Sequence, residues 1–478
     1  MLQRANLVPT VRRFQMAIVN RKCNSIVELD HRPELLDSPT GRSFANEELH
    51  RCLITQESPP QESEIVIIGG GIIGCGIAAQ LWHQDDLRNN FIILDSHHEL
   101  CGNLFDTWGR IGQRVMRSPY DHHIAPDGDL QMLDFARLRL SELTEVERQQ
   151  VIIGLSGQRA VVPVDIFIAH TRHVISTHAL QDRSYRIRVK KIVKLSDSSH
   201  NYSLILDNGH TLLCNRVIVA AGNEYRELNG VWSRALENFP DQVSFCDNPQ
   251  RPSRGNRILV VGSGMTSAHT LVNCYKSGCQ ITWLLRNEER YRCADFDTAF
   301  FRKEGIARFE KIPTLIKKRE LLVEESRGSI MLEFYPILQE LEHNHNIDVL
   351  RFIEPTSVIK HHDALSVHFN NGSSIEVDQV LLATGITPAT SVLPKGVLLH
   401  DGRYPELDTA TLELIDYSGV HVAGALASLV LGPAAKNVDG ARLASQKIIP
   451  ALQSRDQIQK SYTIRGTWPV TPPKRRAI

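Results

Sequence analysis

Gly69-Gly70-Gly71-Ile72-Ile73-Gly74 and Gly262-Ser263-Gly264-Met265-Thr266-Ser267 are the two stretches on which the fold turns. Each follows an apolar run, Ile65-Val66-Ile67-Ile68 before the first and Ile258-Leu259-Val260-Val261 before the second, with the composition of a buried parallel strand. A glycine turn between such a strand and a helix lets the backbone reverse tightly and leaves helix amides facing outward. A second strand follows each turn, and the two end in opposite charges. Phe91-Ile92-Ile93-Leu94 runs into Asp95, whereas Ile281-Thr282-Trp283-Leu284-Leu285 runs into Arg286.

In a nucleotide-binding βαβ unit, the residue roughly 20 positions beyond the glycines meets the adenosine ribose. A carboxylate there accepts hydrogen bonds from free hydroxyls, and an arginine suits a 2′-phosphate. The contrast therefore predicts two different dinucleotides, an FAD-type site at Gly69, Gly71, Gly74 and Asp95 and an NADPH-type site at Gly262, Gly264, Ser267 and Arg286. Either turn taken alone could be no more than a tight connection; the charged strand ends favour nucleotides. Ser267, standing where a third glycine is usual, is small enough for the helix to pack on its strand. Arg290 and Arg292 extend the basic run, either as further phosphate ligands or as a solvated basic loop.

Each turn has a later companion of one design. Asp207-Asn208-Gly209 precedes Val217-Ile218-Val219-Ala220-Ala221-Gly222, and Asn370-Asn371-Gly372 precedes Val380-Leu381-Leu382-Ala383-Thr384-Gly385. Both read as an Asn-Gly hairpin feeding an apolar strand that ends at glycine. Gly222 and Gly385 would let a connecting segment pass close to a nucleotide. This internal repeat predicts an α/β fold of two Rossmann-like dinucleotide-binding domains, the NADPH domain inserted into the FAD domain, with helical insertions. The expected boundaries are an extension and linker over 1–63, the FAD domain over 64–250 and 376–455, the NADPH domain over 251–375 with a helical insertion at 295–345, and a tail over 456–478.

The return to the FAD domain is visible in Gly419-Val420-His421-Val422-Ala423-Gly424-Ala425. Leu431-Gly432-Pro433-Ala434-Ala435 then predicts a helix started by proline, whose amides face a flavin ring, with an ordinary core helix as the alternative. Thr144 and Glu147 carry a capping-box pattern, and Pro163-Val164-Asp165-Ile166 starts another helix. Tyr120-Asp121-His122-His123 is not expected to hold a metal, because adjacent residues of an extended strand point to opposite faces. No side-chain catalyst is singled out.

The chain has 478 residues, 42% of them hydrophobic, which is too long for one ordinary domain. Its 54 basic and 54 acidic side chains balance, removing a general electrostatic reason to bind nucleic acid or acidic membranes. No apolar run reaches the length of a transmembrane anchor. The nine cysteines form no CxxC pair, and an odd number argues against a disulfide framework. A reducing, cytoplasmic setting fits, and Cys274 and Cys279 read as packing residues. The first 27 residues are basic and free of acids, so a mitochondrial transit peptide is the alternative.

With its two glycine turns, its two strand endings and an inserted second domain, the chain resembles the two-dinucleotide flavoprotein superfamily over roughly residues 64–455. Within it the resemblance is to the class B single-component flavin monooxygenases, nearest the lysine/ornithine N-hydroxylase branch. Cys101-Gly102-Asn103-Leu104-Phe105-Asp106-Thr107-Trp108 is similar to their Gly-Gly-x-Trp region, with Asn103 where a second glycine is common, and Arg114-Val115-Met116-Arg117-Ser118-Pro119 is similar to the strand beyond it. Gly424-Ala425 lacks the aspartate of the Gly-Asp motif of related reductases. The resemblance implies bound FAD near Trp108, Gly424 and Gly432, reduction by NADPH, and oxygen adding to the flavin as a hydroperoxide that hydroxylates a small nucleophilic substrate, with an amine as one candidate. Asp295 or Asp297 could then meet an ammonium group, or else form a solvated salt-bridged face. The rival functions are an NADPH-dependent flavin reductase acting on a quinone, disulfide or carrier, and a non-catalytic nucleotide-binding regulator.

Overall fold

The computed structural model describes residues 16–20, 25–29, 33–46 and 52–463, apart from 127, 129, 197, 249–251 and 400–401. The proposed transit peptide lies largely outside them, as does the chain after Thr463. The chain divides into two compact units. The first unit, built from residues 53–100, 177–222 and 388–478, contains the first glycine turn; the second, built from 1–52, 101–176 and 223–387, contains the other. The helical segment 101–176 thus belongs with the second turn, and the divisions fall at 222/223 and 387/388.

In the first unit the strand Glu62–Ile68 sits mid-sheet, parallel to Phe91–Asp95 on one side and to Thr211–Val219 on the other. Tyr417–Val422 extends the parallel set beyond Thr211–Val219, and Ser184–Arg186 extends it beyond Phe91–Asp95. Ile65, Val66 and Ile67 are fully buried, as strands covered on both faces require. The order of connection reverses beside Glu62–Ile68, which places a ligand crevice at the carboxyl ends of these strands.

The second unit repeats the plan. Arg257–Val261 lies between Gln280–Leu285 and Gln379–Leu382, with Ile347–Arg351 and Val243–Phe245 at the edges, all parallel. Both Asn-Gly hairpins form where expected, with Gly209 at φ +85° and Gly372 at φ +83°. The strands leaving the two hairpins differ. Thr211–Val219 is one continuous strand that begins antiparallel to Tyr202–Leu206 and continues into the parallel sheet. In the second unit the chain breaks at Asp378 into Ser374–Val377 and Gln379–Leu382. The Asp378 carboxylate accepts from the Arg257 amide at 2.8 Å and from its guanidinium at 2.7 Å, turning the break into a clasp on the central strand.

Two expectations change. Within the stretch expected to be extension and linker, Leu35, Leu36, Phe44, Cys52 and Ile54 are buried. Arg42 of that stretch is tied down as well: its amide donates to Asp165 at 3.0 Å, and its guanidinium donates at 2.6 Å to Glu147, buried within its capping box. The helix expected from Pro433 is only a four-residue turn, Pro433–Lys436, and the long helix starts at Gly440 and runs to Thr463. The break falls at Asn437, whose backbone is extended at φ −95° and ψ 175° and whose side chain accepts from the Val438 amide at 2.6 Å; Gly440 then lies against the Ala435 carbonyl, where a Cβ would overlap. Replacing Gly440 with alanine is expected to cost about 1–3 kcal/mol by overpacking, read as a lower urea midpoint with an unchanged slope.

Candidate functional site

Both glycine turns are built by the same contact. Gly69 has φ +104° and Gly262 has φ +128°, a region that favours glycine. A Cβ on Gly69 would overlap the carbonyl of Ala220, and one on Gly262 the carbonyl of Ala383. The two Ala-x-Gly strand endings are therefore what the turns pack upon. Gly222 and Gly385, two residues beyond those alanines, have φ +76° and +92°.

The helices that leave the turns begin on glycine with no side chain capping them. Ile72–Trp82 starts at Gly71 and Met265–Lys276 at Gly264. Their first amides lack an intrahelical acceptor by construction, and together with the helix dipole they form a site for an anion. Space is available: a Cβ at Gly71 would meet nothing within 4 Å. Gly74 lies against the Gly69 carbonyl so closely that a Cβ there would overlap it. The equivalent Ser267 is buried and donates its hydroxyl to the Gly264 carbonyl at 2.6 Å.

The charged strand ends differ in engagement as well as in sign. Asp95 accepts from the Gly70 amide at 2.6 Å through one oxygen and from the His97 amide at 2.7 Å through the other. Burial pushes its carboxyl pKa up, against the lowering pull of those two amides. Each oxygen keeps a lone-pair direction for a further donor. Arg286 is exposed and makes no hydrogen bond or ion pair with any described residue. Its neighbours are committed, Arg290 to Glu324 at 3.1 Å and Arg292 to Glu325 at 3.3 Å. Of the three arginines in this run, Arg286 is the one at the strand end whose guanidinium is left for a ligand.

Other residues singled out in the sequence take different places. Trp108 sits on the buried face of the helix Gly102–Ile111, edge-on to Phe167 at 5.5 Å, and belongs to the second unit rather than to that of the first turn. The Asn273 side chain holds this helix by donating to the Ile111 carbonyl at 2.5 Å. In the first unit, Gly424 has φ +68° and packs beside Ile73 of the first helix, and Gly432 has φ +81° where it enters the short Pro433 turn. His122 and His123 are buried beside Phe301 and His170. Among the described residues no group of histidine, cysteine and acidic side chains has metal-binding geometry.

Asp295 and Asp297 are already paired with cations, Asp295 with Arg117 at 2.8 Å and Asp297 with Arg308 at 3.0 Å. The alternative of a salt-bridged face therefore describes them better than a substrate contact. Sequence reasoning gives no role to Gly70, whose amide anchors Asp95, or to Gly328, whose Cα lies near Gly264. Gly328 stands alone in a polar stretch without a motif around it; its one signal is the absence of a side chain.

The comparisons with known proteins agree with this plan. No curated protein sequence matches the chain. Solved structures do: the ornithine hydroxylase PvdA from Pseudomonas aeruginosa is 15% identical, with a TM-score of 0.65 over 82% of this chain and 99% of that one. The ornithine N-hydroxylase from Kutzneria sp. 744 is 12% identical, with a TM-score of 0.66 over 83% and 100%. The bacillithiol disulfide reductase Bdr (YpdA) from Bacillus cereus is 17% identical, with a TM-score of 0.57 over 83% and 100%. At these identities the likeness is one of fold, two Rossmann-like dinucleotide-binding units in a single chain. A family model described as pyridine nucleotide-disulphide oxidoreductase covers residues 159–441, more than half of the chain and inclusive of the second turn and both Ala-x-Gly endings, so the chain belongs to that family.

Proposed function

We propose that the protein is an FAD- and NADPH-dependent monooxygenase that hydroxylates a small nucleophilic substrate, an amine among the candidates. The observation that carries the cofactor assignment is the pair of equivalent strand ends, an engaged carboxylate at Asp95 and an unengaged guanidinium at Arg286, each beside an uncapped glycine turn. In this reading Gly69, Gly71, Gly74 and Asp95 hold the FAD diphosphate and ribose, with Gly222 and Gly424 bordering the same unit's crevice. Gly262, Gly264, Ser267, Arg286 and Gly385 hold NADPH. Trp108 and Gly432, assigned to FAD from the sequence, keep that role only as a proposal, since one belongs to the second unit and the other opens a short turn.

The chemistry such a pair supplies when bound is hydride delivery from the nicotinamide, followed by passage of electrons to oxygen or to another acceptor. The protein's part is positional. The helix amides at Gly71 and Gly264 receive phosphate charge, Asp95 orients ribose hydroxyls, and Arg286 selects the 2′-phosphate. Support for oxygen as acceptor comes from solved structures of similar fold, among them an ornithine N-hydroxylase whose structure contains reduced FAD, NADP⁺ and L-ornithine.

A reductase is the second reading, favoured by the likeness to a bacillithiol disulfide reductase. Cys75, the cysteine of the first turn's helix, is fully buried and donates to the Gly70 carbonyl at 3.1 Å, which suits packing better than thiol exchange. The two readings separate on mixing NADPH-reduced protein with oxygen in a stopped-flow spectrophotometer. A monooxygenase gives a transient absorbance distinct from both oxidised and reduced flavin, whereas single-step reoxidation, with rapid turnover of a quinone or disulfide, selects the reductase.

Two substitutions test the cofactor sites. Arg286→Ala is expected to weaken NADPH use roughly tenfold or more, from the loss of a charged hydrogen bond of about 1.5–3 kcal/mol, and to leave NADH use nearly unchanged. Equal losses with both nucleotides would place the phosphate elsewhere. Gly71→Ala puts a methyl group into open space, so unfolding stability should stay within about 0.5 kcal/mol. FAD retention on gel filtration should nevertheless fall, by roughly tenfold in affinity for about 1.4 kcal/mol lost.

A further inference from the structure

The second glycine turn has a neighbour that the nucleotide fold does not require. Gly328 lies on the segment Arg327–Met331, beyond the helix Leu315–Glu325 of the insertion, and a Cβ on it would touch the carbonyl of Ser263 at 3.4 Å and the Cα of Gly264 at 3.5 Å. The next residues are anchored. Ile330 and Met331 are fully buried, and the Met331 amide approaches the Met265 sulfur at 3.2 Å at the start of the turn's own helix. The Ile330 amide donates to the Arg290 carbonyl at 2.8 Å, and the Arg292 amide returns to the Ile330 carbonyl at 2.9 Å. The insertion therefore closes on the turn along one side, with only glycine between its backbone and the turn.

One side chain fastens that closure. Arg117 is buried and places both terminal nitrogens on this segment and on the stretch that carries Asp295. Its Nη1 donates to the Asp295 carboxylate at 2.8 Å and to the Ser329 carbonyl at 3.2 Å; its Nη2 donates to the Arg292 carbonyl at 2.8 Å and to the Ser329 hydroxyl at 3.0 Å. A guanidinium is the one side chain whose planar fork can serve four acceptors in this way. A buried arginine is retained at a desolvation cost, and here its bonds join three segments far apart in sequence: the Asp295 stretch, the Ser329 stretch, and its own stretch after Val115-Met116.

We propose that Arg117 is a positioning residue for the nicotinamide dinucleotide, pinning Gly328 against Ser263 and Gly264 so that the insertion supplies one wall of the nucleotide site. The inference rests on the assignment of the second turn to NADPH. It adds that the wall acts on the part common to NADPH and NADH, the diphosphate at the turn, and is independent of Arg286. The same hub joins the wall to the Asp295 stretch, so the turn and the insertion are ordered together.

The test is calorimetric titration of NADP⁺ and NAD⁺ into the FAD-loaded protein. In Arg117→Met both nucleotides should bind about tenfold more weakly, with the ratio between them unchanged, and with FAD content and the flavin spectrum as in the wild type. Arg117→Lys keeps the pairing with Asp295 but not the fork, and should fall between; Ser329→Ala, which removes one acceptor, should show a smaller loss in the same direction. Should Arg117→Met fail to fold, the lysine and Ser329 variants carry the test alone. Unchanged affinities in folded variants, or a loss confined to NADP⁺, would overturn the proposal. A wild-type protein that retains FAD but binds neither nucleotide would overturn the assignment of the second turn instead.

Discussion

A glycine whose backbone rests directly on the carbonyl of a neighbouring strand is the constraint on which both units depend. Gly69 on Ala220 and Gly262 on Ala383 are the same contact made twice, and neither leaves room for a side chain. It sets the reversal of the chain after the central strand, the direction in which the helix departs, and the exposure of that helix's first amides. The repeat seen in the sequence is a repeat of this interlock. A glycine turn and an Ala-x-Gly ending recur together because each is half of one contact.

Features that rest on strand periodicity and backbone geometry are legible in the residues alone. The two parallel sheets, the Asn-Gly hairpins at Asn208 and Asn371, the capping box of Thr144 and Glu147, and the helix after Pro163 all stand where the residues place them. These features are local, so the residues that specify them adjoin them. The Pro433 helix stops short although the cause is equally local, an extended backbone at Asn437. Proline permits a helix start, but it does not report that Asn437 ends the helix or that Gly440 then lies against the Ala435 carbonyl.

The candidate site is legible to the same limit. Spacing locates Asp95 and Arg286 but not their difference in engagement, since Asp95 accepts from the Gly70 and His97 amides and Arg286 meets no partner among the described residues. Arg117 falls within the stretch 114–119 that carries the resemblance, but nothing in that stretch names its partners, which lie about 175 to 212 positions away. The acidic and basic residues between Tyr291 and Thr298 have the composition of a recognition surface and are instead engaged by Arg117, Glu325 and Arg308. Long-range polar pairing is what a single sequence conceals most completely.

The uninterrupted strand Thr211–Val219 and its divided counterpart at Asp378 set apart how the two units come loose. Where one strand runs through both the antiparallel ribbon and the parallel sheet, the amides of both should exchange with deuterium together, in a single opening. Where the chain turns at Asp378, the ribbon Pro355–Val377 is held to its sheet by the Arg257 clasp, and acid that protonates this carboxylate should free the ribbon's amides before those of the sheet. A duplicated architecture would in this way carry two different grades of cooperativity.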